Sequence, residues 1–280
     1  MKTPLCLLAF SAALSSLPLQ AAVIANWAMD DLNSALLDST GNHPVGTVVG
    51  SVVQGQPGVP NGTYGAITVT GAAGLSTYFG PNASDSYFTI GDSNINPVLN
   101  IDRTASMTVM SWIAPLAPDV VGRAYRPVSS GSFNGVDRGW GFALRFGDTL
   151  GANTTVRLTT YGVADNDSTP FAVNFGEWIH IAATYNNGAI NYYLNGDLLG
   201  GADTSLFGNE LAAGRLTIGA RTGGNDFDQT NGFLDGVRVY NEVLSPESIR
   251  AAAVASVVPE PSIGLLVGIA GIAFLSLRRR

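Results

Sequence analysis

Apolar and polar positions alternate in short bursts along most of this chain. Trp140, Phe142, Leu144 and Phe146 alternate with Gly141, Ala143 and Arg145, a period of two that predicts a half-buried strand with one aromatic face. In Ser106 to Ile113, Met107, Val109, Ser111 and Ile113 share one face, and Met110 and Trp112 share the other. Both faces are partly apolar, as expected of a central strand covered on two sides. Further strands are predicted over Val23 to Ala28, Thr154 to Tyr161, Arg215 to Ala220 and Phe233 to Tyr240, with Val45 to Val53 extended. Asp30 to Gly46 and Gln54 to Gly62 read as loops.

The most regular stretch is a meander. Glu177 to Tyr185 is a strand, Asn186-Asn187-Gly188 turns it, and Ile190 to Leu194 returns. Asn195-Gly196 then turns the chain into a third strand from Asp197 to Gly200. Asn-Gly pairs favour the positive φ that tight hairpin turns require. A short helix follows Leu244, with Ser245 as N-cap, Pro246 in the first turn and Glu247 near the positive end, running to about Ala253. Strands do not alternate with helices, and no unit of about 20–50 residues repeats. Short strands separated by Gly, Asn, Asp and Pro clusters predict an all-β, two-sheet antiparallel sandwich with a short C-terminal helix.

The two ends differ from this body. Residues 1–22 combine Lys2, an apolar run from Leu5 to Leu19 and small residues at Ala21 and Ala22, the pattern of a secretory signal peptide. Residues 23–253 form the predicted domain, and 254–262 a linker. At the far end, Pro259-Glu260-Pro261 precedes an apolar run from Ile263 to Leu277, closed by Arg278 to Arg280. That run is short for a bilayer span, which takes about 20 residues, yet it has no polar face to sit in water. The terminal arginines favour a cytoplasmic end. In this order the segment resembles the PEP-CTERM sorting signal. The resemblance implies that Pro259, Glu260 and Pro261 are the recognised motif and that residues 263–277 anchor transiently in the inner membrane. It further implies that an exosortase-type membrane protease processes the chain for the cell surface or exterior.

Charge narrows the choice of partner. Residues 23–258 hold ten arginines, no lysine and twenty acidic residues, a net charge near minus ten. Such a body repels nucleic acid and anionic lipid. Cations, extracellular polysaccharide or surface proteins are the better partners, although acidity also serves plain solubility. The one cysteine, Cys6, lies in the predicted leader, so the mature chain has no disulfide and no thiolate site.

Four pieces together resemble the laminin-G-like, or concanavalin A-like, jelly roll. They are Ala25 to Asp30 with Asp38 to Asn42; Ser106 to Ile113 with Pro115; Glu177 to Tyr185 running into Tyr193 to Gly196; and Leu216 to Gly219 with Gly232 to Tyr240 and Leu244-Ser245. Residues 114–139 and 200–214 carry no such likeness. The resemblance implies a structural Ca²⁺ between the early loop and the last strand, with Asp30, Asp38, Asn42 and Asp235 as suppliers of the hard oxygen ligands that Ca²⁺ takes. Asp38 equally suits an Asx-turn and Asp235 a bulge. Asp226 and Asp228 form a second, weaker acidic loop.

Catalysis finds little support. The related glycanases use a pair of carboxylates, about 5–5.5 Å apart in retaining enzymes. The body has four glutamates, Glu177, Glu210, Glu242 and Glu247, none at strand spacing from a second carboxylate in a suitable strand. His43 and His180 have no nucleophile beside them in the pattern. For glycan binding, Tyr78, Phe79, Tyr87, Tyr125 and Phe227 lie in or near predicted loops, whereas Trp27, Trp112, Trp140 and Trp178 fall on core positions. The expectation is an exported, non-catalytic surface or matrix protein that binds carbohydrate or protein; a glycan-active enzyme or a purely structural protein are the alternatives.

Overall fold

The alternating segments become strands because one side of each meets a shared apolar interior while the other side does not. The computed structural model describes residues 22–33, 35–71, 74–80, 86–91, 106–132, 138–147, 151–203, 215–221 and 228–257. Apart from Ala22, the expected leader lies outside these residues, as do Pro259, Glu260, Pro261 and the apolar run after them. The chain first forms β1 (Val23–Trp27), β2 (Ala35–Leu36), β3 (Gly46–Gly50), β4 (Val52–Pro57), β5 (Gly62–Tyr64), β6 (Ile67–Val69), β7 (Leu75–Phe79) and β8 (Ser86–Ile90). There follow β9 (Ser106–Pro115), β10 (Ala124–Ser132), β11 (Arg138–Phe146), β12 (Thr154–Thr160) and β13 (Ala164–Asp167). The meander is β14 (Ile179–Asn186), β15 (Ala189–Leu194) and β16 (Asp197–Asp203), then β17 (Arg215–Ile218), β18 (Gly232–Tyr240) and helix α1 (Pro246–Ala255).

Among the described residues these strands build two antiparallel sheets. The first runs β16-β15-β14-β9-β18-β7-β4, with β1 also paired to β18; the second runs β13-β12-β11-β10-β17-β8-β3-β2. β5 and β6 form a separate hairpin. The sheets bury Trp27, Phe79, Phe88, Val109, Trp140, Phe142, Ile181 and Val239 in one core. This is the sandwich that the period-two pattern predicts. β9 is central as expected, flanked by β14 and β18, with nine of its ten residues buried. Both Asn-Gly turns form, with Asn187 and Gly188 at φ of 45° and 100° and Asn195 and Gly196 at 51° and 81°.

The chain departs from expectation in several places. The stretch 45–53 splits into β3 and β4, and β4 continues to Pro57, inside the expected loop. β10 lies within the segment that carried no family likeness, and β2, inside the expected loop from Asp30 to Gly46, β5 to β8 and β13 are additional strands. α1 ends at Ala255, two residues past the expected end, with Ser245 Oγ accepting from the Ser248 amide at 3.2 Å.

The outer faces of the two sheets are unlike. On the first, Met110 and Ala182 meet Ile249 of α1, and Trp112 meets Ala253 of α1 with Ile67 and Val69 of β6. Trp112 Nε1 also donates to the Ala253 carbonyl at 2.9 Å. Helix and hairpin thus form a third layer over this sheet. On the second sheet, Asp165, Thr159, Gly141, Ser129, Thr217, Thr89 and Thr47 stand opposite one another in a single cross-strand row. Apart from Gly141 those positions are polar, and no described helix packs on them.

Candidate functional site

Among the described residues, two places hold side chains that the core does not explain. One lies between the first sheet and its covering layer. β18 pairs Asp235 with Trp112, so both share the outer face, and the register shifts between Asp235 and Arg238. The bulge expected at Asp235 therefore exists. The Gly236 amide, inside this bulge, is one of two backbone amides that approach the Asp235 carboxylate. Asp235 is 0 % exposed, and neither Oδ1 nor Oδ2 accepts a well-formed hydrogen bond, although the Val59 and Gly236 amides approach. Burial, and then the charge of Asp30, push its pKa well above the ordinary carboxylate value. Asp30 is itself raised, by burial, while its Oδ1 accepts from the Leu75 amide at 2.5 Å.

Two glycines leave room for this pair. A Cβ on Gly58 would sit 3.0 Å from Asp235 Oδ2 and 2.7 Å from the Gly74 carbonyl oxygen. A Cβ on Gly74 would sit 3.0 Å from Asp30 Oδ1 and 3.0 Å from the Val257 carbonyl oxygen. A buried carboxylate with few donors is expensive unless a proton or a cation neutralises it. Among the described residues no group of three or more His, Cys, Asp or Glu is placed to hold a metal ion. A cation here would take two carboxylates, with backbone carbonyls and water completing the shell. That donor set suits Ca²⁺ and not a thiophilic or imidazole-seeking metal.

The four residues expected to supply calcium thus fall into two groups. Asp30 and Asp235 come together. Asp38 makes a turn of its own: Oδ1 accepts from the Asn26 and Thr40 amides at 2.9 and 3.0 Å, and Oδ2 from Thr40 Oγ1 at 2.6 Å. His43 Nδ1 adds a fourth contact to Oδ2 at 2.6 Å. Although burial opposes it, these bonds, led by His43, lower the Asp38 pKa to about 2. Asn42 donates from Nδ2 to the Ile24 carbonyl at 3.0 Å, fastening the same turn to β1.

The second place is a polar cleft of about 410 Å³ on the outer face of the second sheet, where β12 turns into β13. Arg126, Arg157, Thr159, Tyr161, Asp165, Arg221 and Asp228 line it. Tyr161 is its centre: the Arg221 guanidinium lies 4.7 Å and that of Arg126 5.4 Å from the ring centroid. The Tyr161 hydroxyl meets Ser129 Oγ at 2.6 Å. Arg126 Nη2 donates to Asp228 Oδ2 at 3.1 Å, and Arg157 spans Asp165 and Asp167. Gly141 leaves room here: a Cβ would lie 2.5 Å from both Arg126 Nη1 and Tyr161 Oη, and one or both would have to shift. The result is a fixed set of planar donors and acceptors beside one aromatic ring, in a volume that suits a small ligand.

The aromatics that the sequence offered for glycan binding are placed differently. Phe79 and Tyr125 are core residues at 0 % exposure, Tyr78 and Tyr87 are half-buried, and Phe227 lies outside the described residues. Trp27, Trp112 and Trp140 are buried as expected, and Trp178 is half-buried. Tyr161 read only as the end of a strand. Its partners Arg126 and Arg221 are far away in sequence, and no local signal marks them.

Comparison with known proteins agrees with this architecture. Domain 4 of AbnA, a GH43 extracellular arabinanase from Geobacillus stearothermophilus solved with arabinotriose, superposes with a TM-score of 0.54 at 18 % identity, covering 83 % of this chain and 98 % of that one. A botulinum neurotoxin type C structure, from work on cell entry through two ganglioside molecules, gives 0.52 at 14 % identity, over 82 % of this chain and 50 % of that one. Trypanosoma rangeli sialidase with sialic acid gives 0.53 at 12 % identity, over 81 % and 32 %. The chain therefore spans about half of the toxin chain and a third of the sialidase. No curated protein sequence matches. The profile of the concanavalin A-like lectin/glucanases superfamily (Laminin_G_3) matches residues 82–250, more than half of the chain. By that match, this chain belongs to the concanavalin A-like lectin/glucanase superfamily.

Proposed function

We propose that the protein is an exported, non-catalytic module that binds carbohydrate in the cleft around Tyr161. The observation that carries this reading is the cleft's construction. Guanidinium and carboxylate groups that present hydrogen bonds in fixed planes surround an aromatic ring, on the sheet face that no described helix covers. Sugar hydroxyls need paired donors and acceptors of this kind. Asp165 and Asp228 are each held by arginines, an arrangement for binding and not for the paired carboxylate chemistry of glycoside hydrolysis. The similarity to a domain solved with arabinotriose supports the same reading. Export follows from the leader and from the sorting tail at Pro259, Glu260 and Pro261, which hands the chain to an exosortase-type protease. A structural Ca²⁺ held by Asp30 and Asp235 completes the proposal.

The test is a polysaccharide array followed by titration calorimetry on the full chain in detergent. Arg221→Ala and Asp165→Ala, both partly exposed side chains, are expected to weaken the retained glycan by about tenfold each. An array without any retained glycan, or affinity indifferent to both changes, would overturn the assignment. Release of reducing ends from a bound glycan would make the protein an enzyme.

A further inference from the structure

We propose that the Asp30–Asp235 pair is a cation-operated clasp on the segment through which the chain leaves the domain, so that cation binding and docking of Val257 are one equilibrium. This inference rests on the reading of the pair as a cation site. Gly74 joins the two events. Its amide donates to the Val257 carbonyl at 3.2 Å, and the next amide, Leu75, donates to Asp30 Oδ1. The Gly74 carbonyl in turn accepts from the Gly58 amide at 3.1 Å, and Gly58 borders Asp235 Oδ2. Asp30, Gly74, Gly58 and Asp235 are therefore contiguous, and Val257 is attached at their middle.

The Asp235 side also reaches the exit. A Cβ on Gly236 would lie 2.5 Å from Ser256 Cβ, so β18 and the end of α1 are in direct apposition there. Arg238 donates to the Ala252 and Ala255 carbonyls at 3.1 and 2.9 Å, closing the last turn of the helix. Val257 itself is 2 % exposed and packs with Val59 and Trp112. When both carboxylates in this patch are ionised, their like charge pushes the Asp30 loop and β18 apart. Gly74, which holds Val257, directly precedes β7, the strand paired to β18. A divalent cation reverses that push and draws both sides onto Gly74. Coupling of this kind is reciprocal: whatever strengthens docking of Val257 strengthens cation binding by the same factor.

The experiment is hydrogen exchange on the full chain in detergent, in Ca²⁺ and in chelator, beside calorimetric titration with Ca²⁺ alone. Exchange at the Gly74 amide and at residues 252–257 is expected to slow by about tenfold in Ca²⁺, with Asp235→Asn losing the response. Gly74→Ala crowds both Asp30 and Val257, and is expected to weaken Ca²⁺ affinity and quicken exchange at 252–257 together. Ca²⁺ binding without any change in exchange would overturn the clasp and leave the cation site standing. Absence of Ca²⁺ binding would remove both. Slow exchange in chelator that Asp235→Asn preserves would also overturn the clasp, since a shared proton then does the work.

Discussion

His180 shows how much a single buried side chain can set. It sits in one cross-strand row with Trp112 and Asp235, its ring edge-on to Trp112 at 5.2 Å, and neither ring nitrogen has a hydrogen-bond partner. Burial, assisted by the charge of Arg238, pushes its pKa down to about 3. An unfolded chain holds histidine near ~6.5. Between these values the unfolded state binds a proton that the folded state refuses, so stability falls as pH drops through that window. From pH 7 to pH 4 the melting temperature of wild type is expected to fall relative to that of His180→Phe, which fills similar space without titrating. Asp38, depressed to about 2, has the same sign: its contribution is present above the unfolded value of 3.8 and lost as pH falls through about 2. Asp235, raised, has the opposite sign. The difference between wild type and His180→Phe isolates the histidine. A slope identical in both proteins would show that His180 is not its source. From sequence His180 is plainly a strand residue; that its ring is sealed beneath a helix and a hairpin is tertiary information.

At the level of elements, the segments with alternating large apolar residues were legible and the others were not. β11 declares itself because Trp140, Phe142, Leu144 and Phe146 all face the core. β13 reads Ala164-Asp165-Asn166-Asp167, a poor strand composition, and forms because Arg157 of β12 holds both aspartates. β10 is obscured by Pro127 and by a register shift between Tyr125 and Val128. α1 was legible at its start, where Ser245 caps it, and illegible in its placement, which Arg238 decides. Besides the two helix carbonyls, Arg238 Nε donates to Asn26 Oδ1 at 2.8 Å, tying β1, β18 and α1 together. Arg238→Ala is expected to destabilise the fold by about 2–4 kcal/mol, since carbonyls and an amide oxygen lose a charged donor under cover. Urea unfolding checks this; a change below ~0.5 kcal/mol would mean that α1 docks through Ile249 and Ala253 alone.

The whole molecule carries a formal charge of −7, with most of its positive charge committed to ion pairs and to the terminal arginines. Uncompensated like charge opposes the compact state, and salt screens it over ~10 Å at 0.1 M. The melting temperature is therefore expected to rise modestly between about 10 and 150 mM NaCl; a fall would place more weight on the Arg157 and Arg126 pairs than on net repulsion. The two-layer architecture was readable from the chain, because burial on one side of a strand writes itself into alternation. The cleft was not, because its members come from β10, β12, β13 and the neighbourhood of β17, which only the closed sheet assembles. The third layer also has a directional effect. Since α1 packs on one broad side of the sandwich and the cleft around Tyr161 opens from the other, membrane anchoring through the proposed tail would leave the proposed sugar-binding side unobstructed by the helical layer. Were the proposed binding and anchoring both to hold, parallel copies would grip a long polymer strongly together even where each is weak alone.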